Sequence, residues 1–276
     1  MILTPEDQPS KKITEANVSR VLVVQTDDPP PLYSPSDSQV ASSSTRPETR
    51  NLPDIKPSNF VYLSRVNSSV KGTWVLDPSL AIPSAFLPPL AAGETEETRS
   101  NLSLDSKNGV INGEIYILPP SNQYLALSNR NRKQCVTIRA RSWNGGVTTK
   151  IREVPPTGTE GARLPIRLYC SSFNGGVSVY LPRAFEGPIK VKTLNGSLRF
   201  SDAVKQLVTP FSEMDGMQRS FLGNFDAAKW ETGAEWAGDE LFAETKNGNV
   251  KIYFDDEADA PAKPRSGGFF GRIFNF

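Results

Sequence analysis

The chain has 276 residues, a net charge of +1 and a hydrophobic fraction of 37%. This length holds one large domain or two small ones, and the near-neutral charge gives no overall attraction to nucleic acid or membranes. Histidine is absent, which removes the usual general base, histidine-activated nucleophiles and most zinc sites. We therefore predict a protein that is not an enzyme, with no catalytic, metal-binding or cofactor-binding residues and no nucleic-acid partner.

Residues 1–57 are rich in Pro, Ser, Asp and Thr. A segment of this composition cannot bury enough apolar surface to offset its ordering entropy, so we predict a disordered arm. Its only apolar run, Val21 to Val24, is too short for the core of a signal peptide. No apolar stretch in the chain approaches the ~20 residues that a membrane helix needs. We expect a cytoplasmic protein without a transmembrane segment, with the nucleus as the alternative compartment.

The arm contains a Pro-Pro-x-Tyr motif formed by Pro30, Pro31, Leu32 and Tyr33. Consecutive prolines favour the extended polyproline II conformation, which lies on the aromatic groove of a WW domain. The tyrosine then fills an adjacent pocket. We predict that residues 29–33 bind a WW-domain protein; the alternative is a chance occurrence of the motif in a proline-rich segment.

Residues 58–254 are predicted to form one all-β domain, because six copies of a strand, an Asn-Gly type turn and a second strand recur there. Five copies carry Ser or Thr two residues before the Asn, and alternating apolar residues place one face of each strand on a core. Asn and Gly tolerate positive φ, so we predict turns of that conformation, with the hydroxyl bonded to a local backbone group. The turn residues are Asn67, Asn108 and Gly109, Asn144 and Gly145, Asn174 and Gly175, Asn195 and Gly196, and Asn247 and Gly248.

Two architectures satisfy this pattern: a solenoid-like stack in which each turn is a corner, and a β-sandwich of hairpins. Identical residues at equivalent turns favour the stack, and the 21 residues from Asn174 to Asn195 match one short coil. The longer gaps then hold insertions, one of which predicts a separate hairpin around Asp215. Ser68 replaces Gly in the first copy, which a terminal capping repeat tolerates.

Two further residue pairs carry structural predictions. Gly72 and Gly113 each follow a turn inside a strand, which predicts a bend or a bulge. Cys135 and Cys170 lack metal-ligand spacing and sit in apolar strands, so we predict buried free thiols.

Charged residues on the strands are predicted to face solvent. Arg139 and Arg141 share one face, opposite inward apolar residues, and no aromatic residues interleave with them in a stacking pattern. Asp105 and Glu244 occupy similar repeat positions and are expected to point outward rather than to face each other across a cleft. Residues 255–276 are predicted to form an acidic and Gly-rich flexible tail that ends in an aromatic segment.

The repeat copies resemble a known family when they are taken together with the segments between them. Those segments read Val75-Leu-Asp-Pro-Ser-Leu-Ala-Ile-Pro, Phe211-Ser-Glu-Met-Asp-Gly and Gly238-Asp-Glu-Leu. Over residues 58 to 254 the chain resembles domain of unknown function 7330, a family common in mushroom-forming fungi. The repeats alone are also similar to bacterial adhesin-like β-solenoid domains. Neither resemblance implies an activity or a set of catalytic residues.

These features favour a β-repeat interaction or adaptor protein that carries a WW-binding arm. The alternative is a carbohydrate-binding or carbohydrate-active β-solenoid. The sequence specifies no ligand and no oligomeric state.

Overall fold

The computed structural model describes residues 52–90, 94–127, 134–155, 163–225 and 236–258. These residues are mostly β-strand, arranged in two sheets. The strands are β1 Val61–Arg65, β2 Val70–Leu76, β3 Leu102–Ser106, β4 Ile111–Ile117, β5 Val136–Ser142, β6 Val147–Glu153, β7 Ile166–Asn174, β8 Val177–Leu181, β9 Gly187–Asn195, β10 Leu198–Phe200, β11 Val208–Met214, β12 Met217–Leu222, β13 Glu240–Asn247 and β14 Val250–Phe254.

Each coil of the chain gives one strand to each sheet. The eight-stranded sheet has the order β1-β3-β5-β7-β13-β9-β12-β11, and the six-stranded sheet has the order β10-β14-β8-β6-β4-β2. Equivalent strands of neighbouring coils pair in parallel and in register, as in Leu104 beside Ala140. Hairpins would pair antiparallel, so the all-β stack is confirmed and the sandwich of hairpins is wrong.

The core lies between the two sheets and follows the period-two alternation of the strands. Leu102 and Leu104 of β3 are buried, as are Val177, Val179 and Leu181 of β8. Their neighbours on the same strands face outward and are only partly buried. The inward residues therefore form a continuous apolar layer along the stack.

The coils do not stack in chain order. The last coil, β13 and β14, lies between the coil of β7 and β8 and the coil of β9 and β10. Asn174 and Asn195, 21 residues apart, are therefore not neighbours, because Asn247 lies between them. The predicted hairpin is confirmed: β11 and β12 pair antiparallel around Asp215 and Gly216, whose φ angles are 54° and 74°.

Two edges of the stack differ in construction. At the turn edge, the Asn-Gly turns join the eight-stranded sheet to the six-stranded sheet. At the return edge, longer connections lead back, and they include the single-turn helices α1 (Asn122–Leu125) and α2 (Asp202–Lys205). Among the described residues, no helix is long and apolar enough to cross a membrane.

The glycines of the turn edge are required by close stacking, and the prediction of positive φ at these turns is wrong. Positive φ among described glycines occurs only at Gly216 and Gly223. A Cβ on Gly175 would lie 2.5 Å from the carbonyl oxygen of Gly145 in the next coil, and a Cβ on Gly109 would lie 2.5 Å from that of Ser68. Ser68 itself belongs to the terminal coil, where β1 and β2 are edge strands, so its Cβ meets no further coil.

The asparagines of the turn edge form one hydrogen-bonded ladder. Five of the six side-chain amides donate to the side-chain oxygen of the asparagine in a neighbouring coil at 2.7–2.8 Å, and Asn67 at the end of the ladder accepts. The ladder runs in the order Asn67, Asn108, Asn144, Asn174, Asn247 and Asn195. The hydroxyls before the turns also bond between coils rather than locally, since Ser142 Oγ donates to the carbonyl of Gly109 at 2.8 Å.

Gly72 and Gly113 leave room for the indole ring of Trp74. Both glycines lie in continuous parallel pairing between β2 and β4, so the predicted bend or bulge is wrong. A Cβ on Gly72 would lie 3.1 Å from the indole of Trp74, and one on Gly113 would lie 3.3 Å from it. The Trp74 ring packs against the core of the terminal coils.

Candidate binding groove

The outer face of the eight-stranded sheet carries three rows of side chains that run across the strands. The turn-side row contains Lys107, Trp143, Phe173 and Lys246. The middle row contains Asp105, Arg141, Ser171, Glu244 and Lys192. The return-side row contains Arg139, Tyr169, Phe242 and Lys190. Each outer row therefore has a cation at both ends and two aromatic rings between them.

The rings of the turn-side row stack along the axis of the solenoid. Trp143 and Phe173 lie with ring centroids 4.4 Å apart and an interplanar angle of 2°. Lys246 Nζ lies 4.5 Å from the Phe173 centroid. Because the ring faces are turned toward neighbours along the row, the rings present their edges sideways to the middle row. Aromatic edges carry partial positive charge.

The return-side row has the same order of residue types one strand further along the stack, but its two rings are tilted by 44° instead of stacked. The guanidinium carbon of Arg139 lies 5.2 Å from the Tyr169 centroid, and the Tyr169 and Phe242 centroids are 6.5 Å apart. The absence of aromatic interleaving predicted for the basic residues is therefore wrong. The outward orientation predicted for Arg139 and Arg141 is confirmed, since both are exposed.

The middle row forms the floor of a groove between the two aromatic rows. Ser171 lies at its centre, between Tyr169 and Phe173 on the same strand. Arg141 pairs with Asp105 at 2.8 Å on one side of Ser171. On the other side, Lys192 lies 3.7 Å from Glu244. Because the side chain of Ser171 is small, it leaves open the space between the larger side chains of the groove.

Two cavities, of about 600 Å³ and 540 Å³, occupy this face and share four residues of the middle row. They therefore form one groove. The larger cavity extends past Phe60 and Tyr62 toward Pro88 and Pro89. Ser100 also lines it, and its buried Oγ has no hydrogen-bond partner among the described residues.

Asp105 and Glu244 do not form a glycosidase pair. They lie in one row, three strands apart, which corresponds to about 14 Å at ~4.8 Å per strand. Carboxyl pairs in such enzymes are about 5–9.5 Å apart. No group of residues with the composition of a metal site occurs in the described ranges.

A buried ionic cluster lies at the return edge, on the other side of the molecule from the asparagine ladder. Arg163 donates to Asp239 Oδ1 at 2.7 Å and to the carbonyl of Ala184 at 2.6 Å. Asp239 is 2% exposed and also accepts from the backbone N–H groups of Ile166 and Glu186. One carboxylate thus joins three segments that are distant in sequence.

Glu153 belongs to the same cluster and has an unusual pKa. Burial raises the pKa of this carboxyl to about 7, against the opposing effect of Arg163, whose Nε lies 2.8 Å from Glu153 Oε1. The negative charges of Asp239 and Asp255 act in the same direction as burial. Glu153 therefore keeps its proton at pH values where an exposed glutamate has already lost it.

The two cysteines are free, as predicted, but differ in burial. Cys170 is fully buried beside Thr149, and burial raises its pKa to about 12. Cys135 is only half-buried, so the burial predicted for this thiol is wrong. A thiol with the pKa of Cys170 is unreactive at neutral pH.

The predicted turn residues lie together at the turn edge and form no part of the groove. Pro30, Pro31, Leu32 and Tyr33 lie outside the described residues, as does the aromatic tail. The rings of the groove were not recognised from the sequence as a set. The available signal was positional, because Trp143 and Phe173 each directly precede a turn asparagine.

Comparison with known proteins identifies the domain. Residues 59–257 match the family model described as domain of unknown function (DUF7330). No curated protein and no solved structure matches the chain significantly. The chain belongs to the DUF7330 family.

Proposed function

We propose that the protein is a non-enzymatic interaction or adaptor protein in which the β-solenoid binds one partner through its groove and the N-terminal arm binds a WW-domain protein. The groove is the observation that carries this proposal. Its lining residues come from five strands of the eight-stranded sheet, and its aromatic and arginine side chains are of the types that protein-binding surfaces favour.

The WW-binding role is supported by the Pro-Pro-x-Tyr motif of residues 30–33. The prolines remove backbone donors and restrict φ, which lowers the entropy lost when such a segment binds an aromatic groove. We place the protein in the cytoplasm, where WW-domain partners would be accessible to the arm.

The test is fluorescence anisotropy of a labelled peptide spanning Gln25–Val40 against a panel of WW domains. We expect micromolar binding that the Tyr33→Ala peptide loses, because the tyrosine pocket is then empty. Absence of binding to every domain, or equal binding of the Tyr33→Ala peptide, would remove the adaptor proposal.

A carbohydrate-binding solenoid is the second candidate. It is favoured by Trp143 and Tyr62, which are 53% and 54% exposed beside a polar groove floor. It is disfavoured by the position of Phe173 between Trp143 and Lys246, because neither face of the Phe173 ring is then open to a sugar. Binding on a glycan array that Trp143→Ala abolishes would support this candidate over a peptide ligand.

A further inference from the structure

We propose that the groove binds an extended acidic peptide segment of another protein, in which two carboxylates lie four residues apart. This inference rests on the proposed binding role of the groove and names the chemical class of its ligand. The charge of the lining, the positions of its unpaired cations, the width of the groove and one buried hydroxyl each support this occupant.

The lining of the groove has an excess of positive charge, with five cations and three acids. Each of the three acids already has a partner within the fold: Arg141 for Asp105, Lys192 for Glu244, and the backbone N–H of Ser100 for Glu94. The acids of the lining are therefore not available to neutralise the remaining cations. A ligand that pairs with these cations has to bring carboxylates of its own.

Three cations of the lining are unpaired. Lys107, Arg139 and Lys246 are exposed and form no ion pair within the described ranges. Arg139 lies 5.2 Å from the centroid of Tyr169, and Lys246 Nζ lies 4.5 Å from that of Phe173. These ring contacts hold the two cations at the walls of the groove but leave their charge in place. All three cations are therefore open to an anionic ligand.

The strand register sets the distances between these cations. Lys107 and Lys246 belong to one row and lie three strand spacings apart, which is about 14 Å at ~4.8 Å per spacing. An extended peptide advances about 13 Å over four residues. Two carboxylates at this separation therefore reach Lys107 and Lys246 together, while Arg139 on the opposite wall faces the backbone of the peptide.

The width of the groove suits one extended chain. Arg139 precedes Trp143 by four residues on the same side of the sheet, so the two aromatic rows are about 13 Å apart at ~3.3 Å per residue. An α-helix is about 10–12 Å wide with its side chains, which leaves no room for the rings that form the walls. Lys, Arg and Trp side chains are donors only. The backbone carbonyls of an extended peptide are the complementary acceptors.

A buried hydroxyl marks one end of the groove. Ser100 is 8% exposed, and its Oγ has no hydrogen-bond partner among the described residues. It lines the larger cavity together with Phe60, Pro88 and Pro89. A hydroxyl both donates and accepts, so the backbone of a ligand that packs an apolar residue against these rings supplies the missing partner. The ligand therefore has a direction, with an apolar residue at this end and its acids toward Lys246.

A continuous polyanion fits the groove less well than a peptide. Each strand of a nucleic acid carries one charge per ~3.4 Å, whereas Lys107 and Lys246 are separated by four times that distance. The carboxylates of Asp105 and Glu244 lie on the floor between them and would repel the intervening phosphates. A peptide with separated acids avoids this repulsion.

The experiment selects ligands from a display library of short randomised peptides on the immobilised full-length chain. We expect the enriched peptides to share two Asp or Glu residues four positions apart. In fluorescence anisotropy at low salt, the Kd of the most enriched peptide should rise at least tenfold on the Lys107→Glu, Lys246→Glu variant. Lys71→Glu with Lys251→Glu makes the same charge change on the six-stranded sheet and should leave the Kd unchanged. Circular dichroism of both variants verifies that they fold.

The outcomes separate this inference from the proposed function. Enriched peptides that lack acids, or whose acids have no preferred spacing, overturn the inference; if Trp143→Ala releases them, the groove remains the partner site. Equal losses in the two charge variants also overturn it, because the attraction is then not local. Tighter binding of a labelled oligothymidylate than of any peptide would assign the groove to nucleic acid instead. Absence of enrichment removes the inference and the groove from the proposed function, whereas the WW-domain assay tests the arm separately.

Discussion

The turn edge and the return edge of the solenoid are held together by different means. At the turn edge, every coil repeats one neutral contact, an asparagine amide bonded to the asparagine of the next coil. At the return edge, a single buried carboxylate, Asp239, accepts bonds from Arg163 and from two backbone N–H groups. Repeated contacts between equivalent residues therefore set the spacing between coils. A single set of contacts between segments that are distant in sequence determines where the connections of the return edge lie.

The largest expected effect is at the return edge. Asp239→Ala leaves Arg163 without its bidentate partner and two backbone donors unsatisfied, so we expect the free energy of unfolding to fall by about 3–5 kcal/mol. Urea denaturation followed by circular dichroism measures this loss. Asp256→Ala is the control, because Asp256 forms an exposed pair with Arg183, and such pairs contribute about 1 kcal/mol or less. Equal effects of the two substitutions would contradict the structural role of Asp239.

A glycine of the turn edge should give the next largest effect. Gly175→Ala places a Cβ 2.5 Å from a backbone oxygen of the next coil, and overpacking of this kind destabilises by about 1–3 kcal/mol. Gly146→Ala is the matched control in an adjacent turn, since its Cβ would lie 3.4 Å from the nearest atom. Thermal unfolding compares the two. A melting temperature lowered equally by both would show that stacking is not the constraint.

The asparagine ladder should respond by position along the stack. Asn174 bonds to two neighbours and Asn67 to one. At about 0.5–1.5 kcal/mol per hydrogen bond, Asn174→Ala should destabilise by about 1–2 kcal/mol and Asn67→Ala by about half of that. Chemical denaturation of both variants measures the ratio. Equal losses would mean that the terminal coil contributes as much as an interior coil.

An effect as small as that of the terminal asparagine is expected from a dependence on pH at the return edge. The pKa of Glu153 is raised to about 7 in the folded chain, so the folded state binds a proton that the unfolded state has released. Stability should therefore fall as pH rises from about 4.5 to about 7, by on the order of 1 kcal/mol after screening by solvent. Denaturation of wild type and Glu153→Gln across this range tests the sign. The variant should lack this component of the pH dependence.

The turn edge was predictable because its contacts repeat in the sequence, and the repeat positions of Asn108, Asn144 and Asn174 align in space. The backbone conformation of these turns could not be predicted. A single sequence does not distinguish a glycine that close stacking requires from a glycine that positive φ requires. The return edge was not predictable, because Arg163 and Asp239 are 76 residues apart and neither lies in a repeat.

The groove was predictable only in part. The outward direction of Arg139 and Arg141 follows from strand alternation, and it was recognised. The rings beside them were not, because their stacking depends on which strands are neighbours. Phe242 lies beside Tyr169 only because β13 lies next to β7, and the sequence gives no local signal of that order.

The inserted position of the last coil has a consequence for biosynthesis. Strands β9 to β12 leave the ribosome before β13 and β14, yet their place in the stack is beyond the last coil. Until that coil arrives, β7 and β9 in one sheet and β8 and β10 in the other have unpaired edges facing an open slot. Such edges invite pairing with other chains. The last coil therefore connects two parts of the stack that precede it in the chain. A nascent chain truncated before residue 240 would lack a coil from the interior of the stack and not from its end.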